Sequence, residues 1–319
     1  MIEAFLGIDI SKKTFDVALL VQDKISSHKF NNNIQGFQSL LAWLKKKEIL
    51  LLQACMEATG IYGQALAEFL FAQKISVSIV NPARIKGFSQ SELARSKNDI
   101  LDAKLIARFC KLIRPELWQP IHQSIKVLQQ WVRRLDDLIK MLRQEENRLD
   151  VAEDCLKKHL QKNIKHLENS IKEVKQIIKT HIHQHPELKK KSELLESIPG
   201  IGEATIAQIL AFIGDVSKFN NAKEVAAFIG LNPKQCQSGT SVNKRARLSK
   251  TGDAGLRKAF YMPAVVAMRY NPIIKEFSMR LEQSGKHKML IVGAVMRKLV
   301  HIIYGVLKTE TMFNHHALK

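Results

Sequence analysis

Cysteine is scarce in this chain and nowhere paired. Among 319 residues there are four, Cys55, Cys110, Cys155 and Cys236, and none stands in a C-x-x-C pair. That argues against a zinc knuckle and against a disulfide scaffold. Cys55 and Cys110 lie in apolar runs and read as buried thiols, which suits a reducing cytoplasm. Aromatic residues make up only 7%, and no stacking platform for bases is visible. No uninterrupted apolar run reaches about 18 residues, so no spanning helix is expected. The N-terminus lacks the basic start and apolar core of a secretory signal. Carboxylates are also short: 30 Asp+Glu face 50 Lys+Arg, for a formal charge of +20. An excess of that size points to a polyanionic partner, nucleic acid first and an anionic membrane surface as the lesser reading.

The length suits two domains, each large enough for its own core. Residues 4–10, 14–22 and 25–30 read as three short strands with tight connections. Ile34, Phe37, Leu41 and Leu44 then recur at helical spacing. "LLQACMEATG" reads as a buried strand ending at a glycine, "YGQALAEFLFAQK" as a helix, and "ISVSIVNP" as a strand closed by Pro82. This order predicts a mixed sheet with helices on its faces. From 124 to about 185 the pattern becomes heptad-like, with Leu128, Leu135, Leu138 and Leu142, then Ile164, Leu167, Ile171, Val174 and Ile178. Two long helices follow, the second of about 23 residues and roughly 35 Å, forming an antiparallel hairpin or a dimer-forming coiled coil. In "HIHQH", His181 and His185 share a helix face; a solvated helix end is preferred there to a metal site. After Pro186, "LLESIPGIGEATIAQILAFIG" reads as helix, glycine turn, helix, the pattern of a helix–hairpin–helix. A glycine- and lysine-bearing stretch occupies 230–252, helix is expected to about Leu307, and "NHHALK" is expected to be a loose tail. The fold class is therefore α/β plus all-α, with parts at 1–120, 121–190 and 191–319.

Four carboxylates fall at element ends. Asp9 ends the first strand inside an apolar run, where an unpaired charge is costly. Glu57 ends another strand just before a glycine. Asp99 and Asp102 open a helix at i and i+3 and so share a face. Gathered together, these groups would repel one another. A pair of hard divalent cations, Mg²⁺ or Mn²⁺, would remove that cost and suit phosphoryl displacement. Asp99 is equally well explained as a helix N-cap or first-turn acid; Asp9 and Glu57 are harder to explain away.

"GIDISKKTFDVAL", "MEATGIYGQALAEFL", "VNPARIKGFSQSE" and "KNDILDAKLIARFC" together resemble the RuvC-like, DEDD-type domain of a family of bacterial insertion-sequence transposases, relatives of bridge-RNA-guided recombinases. "LLESIPGIGEATIAQILAFIGD", "VAAFIGLNP" and "SGTSVNKRARLSKTGDAGLRKAFYMPA" resemble that family's transposase domain. The resemblance covers nearly the whole chain in the same order. It implies an RNase H-like N-terminal domain whose four acids are Asp9, Glu57, Asp99 and Asp102, a coiled coil, and a small helical domain with a nucleophilic serine. That serine maps to Ser238 in "CQSGTSV", with Ser241 the alternative; Ser249 reads as a cap or a phosphate contact. It further implies transposition of an insertion sequence by metal-assisted serine transesterification, with two ions. The implied partners are the element ends, the target DNA and a structured guide RNA, handled by a homo-oligomer (dimer or tetramer) in the bacterial cytoplasm, at the nucleoid.

Basic residues crowd the same segment. Lys234, Lys244, Arg245, Arg247, Lys250 and Arg257 surround Ser238 and are expected to contact phosphates, together with Arg84, Lys86 and Lys97 near the acids. The lack of any visible base readout fits target choice delegated to a guide. Two other readings stay open. One is a metal-dependent junction endonuclease with water as nucleophile. The other is a non-catalytic DNA- or RNA-binding assembly protein.

Overall fold

Apolar alternation in the first thirty residues becomes an antiparallel meander of β1 (Glu3–Ile10), β2 (Thr14–Val21) and β3 (Lys24–Asn31). Helix α1 (Ile34–Lys45) follows, capped by the Asn33 side chain, which accepts from Gly36 N at 2.9 Å. Then come β4 (Leu51–Glu57), α2 (Gln64–Ala72), β5 (Ser76–Val80), α3 (Pro82–Ser91) and α4 (Asp99–Ile113). The sheet order is β3-β2-β1-β4-β5, with β1, β4 and β5 parallel. This five-stranded mixed sheet with helices is consistent with an RNase H-like domain. In this computed structural model the described residues are 3–314, apart from 48, 50, 59, 61, 93–98 and 239–241; at 99, 235–238 and 242–246 only the backbone is described. The expected tail at 314–319 therefore lies almost wholly outside the described residues.

Two cores sandwich the sheet. Leu6, Ile8, Phe15, Val17 and Leu19 face Leu40, Leu66 and Leu70 of α1 and α2. Phe5, Ala18, Leu20 and Cys55 face Ala103, Ile106, Ala107 and Cys110 of α4. Cys55 and Cys110 are buried thiols, as their apolar settings predict. A hydrogen bond to Cys110 and burial together push the Cys55 thiol up. Gly7 sets the helix–sheet spacing: a Cβ there would stand 2.1 Å from Ala103 O and 2.3 Å from Ala107 N. At the far end of α4, Arg114 grips Glu3 through two 2.6 Å hydrogen bonds. Helix α4 thus runs antiparallel to β1. Helix α3 differs from the sequence expectation, which placed no helix after Pro82. It is started by Asn81, whose side chain accepts from Ala83 N at 2.8 Å, with Pro82 preset for the first helical position.

The chain forms two compact units, Met1–Ile121 and His122–Lys319. The second begins with α5 (Gln123–Asp150) and α6 (Asp154–Gln184). Their antiparallel pairing brings His181 Nε2 within 2.8 Å of Ser124 O, to which it donates. The stretch ends α6, as expected, and His183 is exposed, but His181 is half-buried and spent on the hairpin, and His185 Nδ1 donates to His181 O at 2.7 Å. At 31 residues α6 is longer than expected. Its buried positions begin at Ile171, and Leu156 before it is exposed. A weakly apolar first half gives periodicity less to detect.

Helices α7 (Pro186–Glu196) and α8 (Glu203–Phe212) flank the glycine turn. Gly200 has φ +102°, and a Cβ on it would lie 2.8 Å from the Ala267 backbone. That glycine is explained by close packing. A short 3-10 turn (Val216–Lys218), α9 (Ala222–Ile229), a two-stranded ribbon of β6 (Pro233–Ser238) and β7 (Val242–Leu248), and helices α10 (Ala254–Ala259), α11 (Tyr261–Tyr270), α12 (Pro272–Gln283) and α13 (Lys288–Thr309) complete the unit. Helix α13 is long and apolar enough to cross a membrane by length and composition, although Arg297 and Lys298 interrupt its apolar run. Its Ile291, Val295, Leu299 and Ile303 instead build the core of this unit.

Candidate functional site

Sheet register decides where the acids stand. β1 and β4 are parallel neighbours paired Gly7 to Cys55 and Ile8 to Met56. One step further along both strands come Asp9 and Glu57, side by side at the carboxyl ends. By alternation they share the face of Gly7 and Cys55, the face that α4 covers. Because α4 runs antiparallel to β1, its first turn, with Asp99 and Asp102, arrives at that same end. Asp9, Glu57 and Asp102 are all half-buried.

A fifth carboxylate continues the row. Asp16 on β2 is the cross-strand partner of Asp9, and Lys29 on β3 is the partner of Asp16. Asp16 is only 5% exposed, and Lys29 Nζ stands 3.1 Å from its Oδ2. Like charges directly opposite on one face repel, and a buried carboxylate needs a counter-charge; Lys29 meets both needs. Asn32 braces the same end: its Nδ2 donates to Ser11 O at 3.0 Å and to Tyr62 O at 3.1 Å. It thereby ties the turn after Asp9 to the loop after Glu57.

Ser238 is the last residue of β6, paired with Val242 across the turn; Ser241 lies outside the described residues. The ribbon has tightly joined feet. Ser249 N donates to Asn232 O at 2.8 Å, and Asp253 N donates to Phe228 O at 2.9 Å. Asp253 Oδ1 also accepts from Leu256 N at 2.8 Å, capping α10.

Both units of the chain match known proteins in sequence. The profile of the IS110-type DEDD transposase domain, described as a transposase, matches residues 6–161, and that of the "Transposase IS116/IS110/IS902 family" matches residues 192–279. The "Pilin gene-inverting protein" of Moraxella bovis is 36% identical over 318 residues, covering 98% of each chain. The chain belongs to the IS116/IS110/IS902 family of transposases. It is a DNA transposase/recombinase. Weaker likeness extends to the 43.6 kDa protein of insertion element IS110 of Streptomyces coelicolor, 25% identical over 45% of this chain and 35% of that one. The transposase for insertion sequence element IS1111A of Coxiella burnetii is 37% identical over 24% of this chain and 21% of its own.

DEDD transposases depend on divalent metal. The four candidate acids, all carboxylates, would suit a hard cation. Among the described residues no three His, Cys, Asp or Glu side chains are close enough to hold one ion, and the Asp99 side chain is not among them. Of the expected phosphate contacts, Lys86, Lys234, Arg247 and Lys250 are exposed. Arg84 is exposed too, with its guanidinium 5.6 Å from the centre of the Phe109 ring. Lys97 lies outside the described residues, and Lys244 and Arg245 are described as β7 backbone only. Arg257 is half-buried, and its Nη1 donates to Ile229 O at 3.0 Å and to Lys250 O at 3.3 Å. Asp16, Lys29 and Asn32 escaped the sequence reading. For Asp16 a signal was present, a carboxylate inside the apolar run "TFDVALL".

Proposed function

We propose that this transposase moves an insertion sequence by metal-assisted serine transesterification, guided by a structured non-coding RNA. The observation that carries the reading is the placement of Asp9 and Glu57 side by side at adjacent strand ends, under the first turn of α4. Asp9, Glu57, Asp99 and Asp102 would hold two Mg²⁺ or Mn²⁺ ions, which when bound polarise the phosphoryl oxygens and ease loss of the serine proton. Ser238 Oγ attacks phosphorus: the Oγ–P bond forms, the P–O bond to the departing strand end breaks, and that oxygen leaves as a hydroxyl. In the second step a strand-end hydroxyl attacks the phosphoserine, the P–Oγ bond breaks and Ser238 regains its proton. The bond count is conserved throughout, so no nucleotide triphosphate is consumed. Gene inversion, named for the Moraxella relative, needs such a balance of breaking and rejoining. Arg84, Lys86, Lys97, Lys234, Lys244, Arg245, Arg247 and Lys250 neutralise backbone phosphates of DNA or guide.

The working parts are 1–120 for the acids, 121–190 for a coiled coil and 191–319 for the serine, acting in the bacterial cytoplasm. The coiled coil joins protomers into a dimer or tetramer, and the acids of one protomer serve the serine of another. The test mixes two inactive variants, Asp9→Asn and Ser238→Ala. Sites shared in trans regain cleavage, with a covalent protein–DNA adduct that maps to the Ser238 peptide. A dead mixture places both halves in one protomer, and an adduct on Ser241 moves the nucleophile by three residues. Cleavage retained by Ser238→Ala alone would replace the serine with water.

A further inference from the structure

The ribbon that carries Ser238 is a two-stranded sheet, with no other strand beside it among the described residues. Such a ribbon is marginal in water unless something holds its base. Its base is tightly constrained. Gly230 closes α9 in the left-handed region, at φ +80°. Gly252, at φ +143°, has no room for a side chain: a Cβ would stand 2.4 Å from Phe228 O and 2.6 Å from Gly230 N. Entering and leaving chains therefore touch backbone to backbone.

Arg257 crosses that junction. Of its two acceptors, Ile229 O belongs to the entering chain and Lys250 O to the leaving one. Ile229 O is also at the carboxyl end of α9, where unpaired carbonyls favour a cation. A Cβ on Gly230 would meet Arg257 Nη1 at 2.6 Å, so the guanidinium rests directly on the turn. A guanidinium gives its two hydrogens from one nitrogen in a fixed plane, whereas a lysine ammonium gives its hydrogens from a freely rotating nitrogen on a flexible stem and holds the two carbonyls less rigidly.

From these contacts we infer that Arg257 is a positioning residue for the Ser238 ribbon, clamping its two feet so that the serine approaches phosphorus along one line, and is not a contact to nucleic acid. The inference rests on Ser238 being the nucleophile, but the clamp has readouts of its own. In the full-length protein, Arg257→Gln should speed hydrogen exchange of the Ser249 and Asp253 amides about tenfold or more. Duplex affinity and its salt slope should stay unchanged, and adduct formation at saturating DNA should slow about tenfold or more. Arg257→Lys should recover only part of the exchange protection. Arg245→Ala/Arg247→Ala is the control that loses phosphate contacts, with a salt slope shallower by about 0.9 for each one lost. Gly252→Ala forces the same feet apart without touching a charge. It should reproduce the faster exchange and slower adduct formation with the slope intact, and it decides the matter if Arg257→Gln fails to fold. A shallower slope for Arg257→Gln with unchanged exchange would overturn the clamp, as would Gly252→Ala with normal exchange. If Ser238→Ala still forms adducts, the nucleophile is reassigned while the exchange data still decide the clamp.

Discussion

The acid end of the sheet and the serine ribbon are built in opposite ways. The acids ride on strands buried on both faces, beneath a helix that rests on the main chain of Gly7. The serine rides on two polar strands whose order depends on what grips their base. The first arrangement draws its geometry from a core and the second from a junction. A core tolerates loss of a surface charge but not an added atom, whereas a junction is sensitive to the few hydrogen bonds that close it.

The sharpest test of that contrast is Gly7→Val. Its Cβ would overlap the α4 main chain, so the helix must lift off the sheet. Unfolding followed by denaturant should show a loss of about 3 kcal/mol or more in the first unit, while Arg247→Val, at an exposed position of β7, stays within about 0.5 kcal/mol of the parent. Equal losses would erase the distinction. A smaller effect comes from Lys29→Met, which leaves buried Asp16 without its counter-charge at a cost of about 2 kcal/mol. Adding Asp16→Asn should restore most of that stability. A double variant no better than the single would mean that the loss came from packing of the lysine stem.

The smallest effect belongs to the second unit. Burial, helped by the positive charges of Arg297, Lys298 and Lys223, holds His301 below the usual histidine range, and its Nε2 is buried without a partner among the described residues. A depressed value in the folded state means that the neutral form is favoured there. Its contribution is therefore complete above the ordinary value of about 6.5 and is lost as pH falls through the lower folded value. Between pH 7 and 5 the melting temperature should fall by about one or two degrees through this group, and His301→Gln should remove that part of the slope. An identical pH profile in the variant would assign the slope to other groups.

What the sequence revealed follows the same division. Strands β1, β2, β4 and β5 were legible because burial on both faces demands apolar runs, and Asp9 and Glu57 stood out as interruptions at the ends of β1 and β4. Asp16 met the same criterion but sat mid-strand, where a single polar residue passes for ordinary alternation; only register shows it opposite Asp9. The ribbon was invisible, since "PKQCQS" and "VNKRARL" carry no apolar alternation and owe their shape to Gly230, Gly252 and Arg257. Helix α3 needed the Asn81–Pro82 pair to be read as a cap and a start, and not only as the close of a strand.

The α5–α6 hairpin carries one more lesson. Ile171 is the first buried residue of α6, so the seventeen positions from Asp154 to Ser170 form about 25 Å of helix with no fully buried residue, Leu167 packing only partly against the core. Such an arm works as a ruler. Its length is counted in residues, and adding or removing matched turns in α5 and α6 moves the tip in whole-turn steps while the base stays as it was. Whatever the tip holds is then set at a distance written directly in the chain, one that can be lengthened or shortened without rewriting the units it serves.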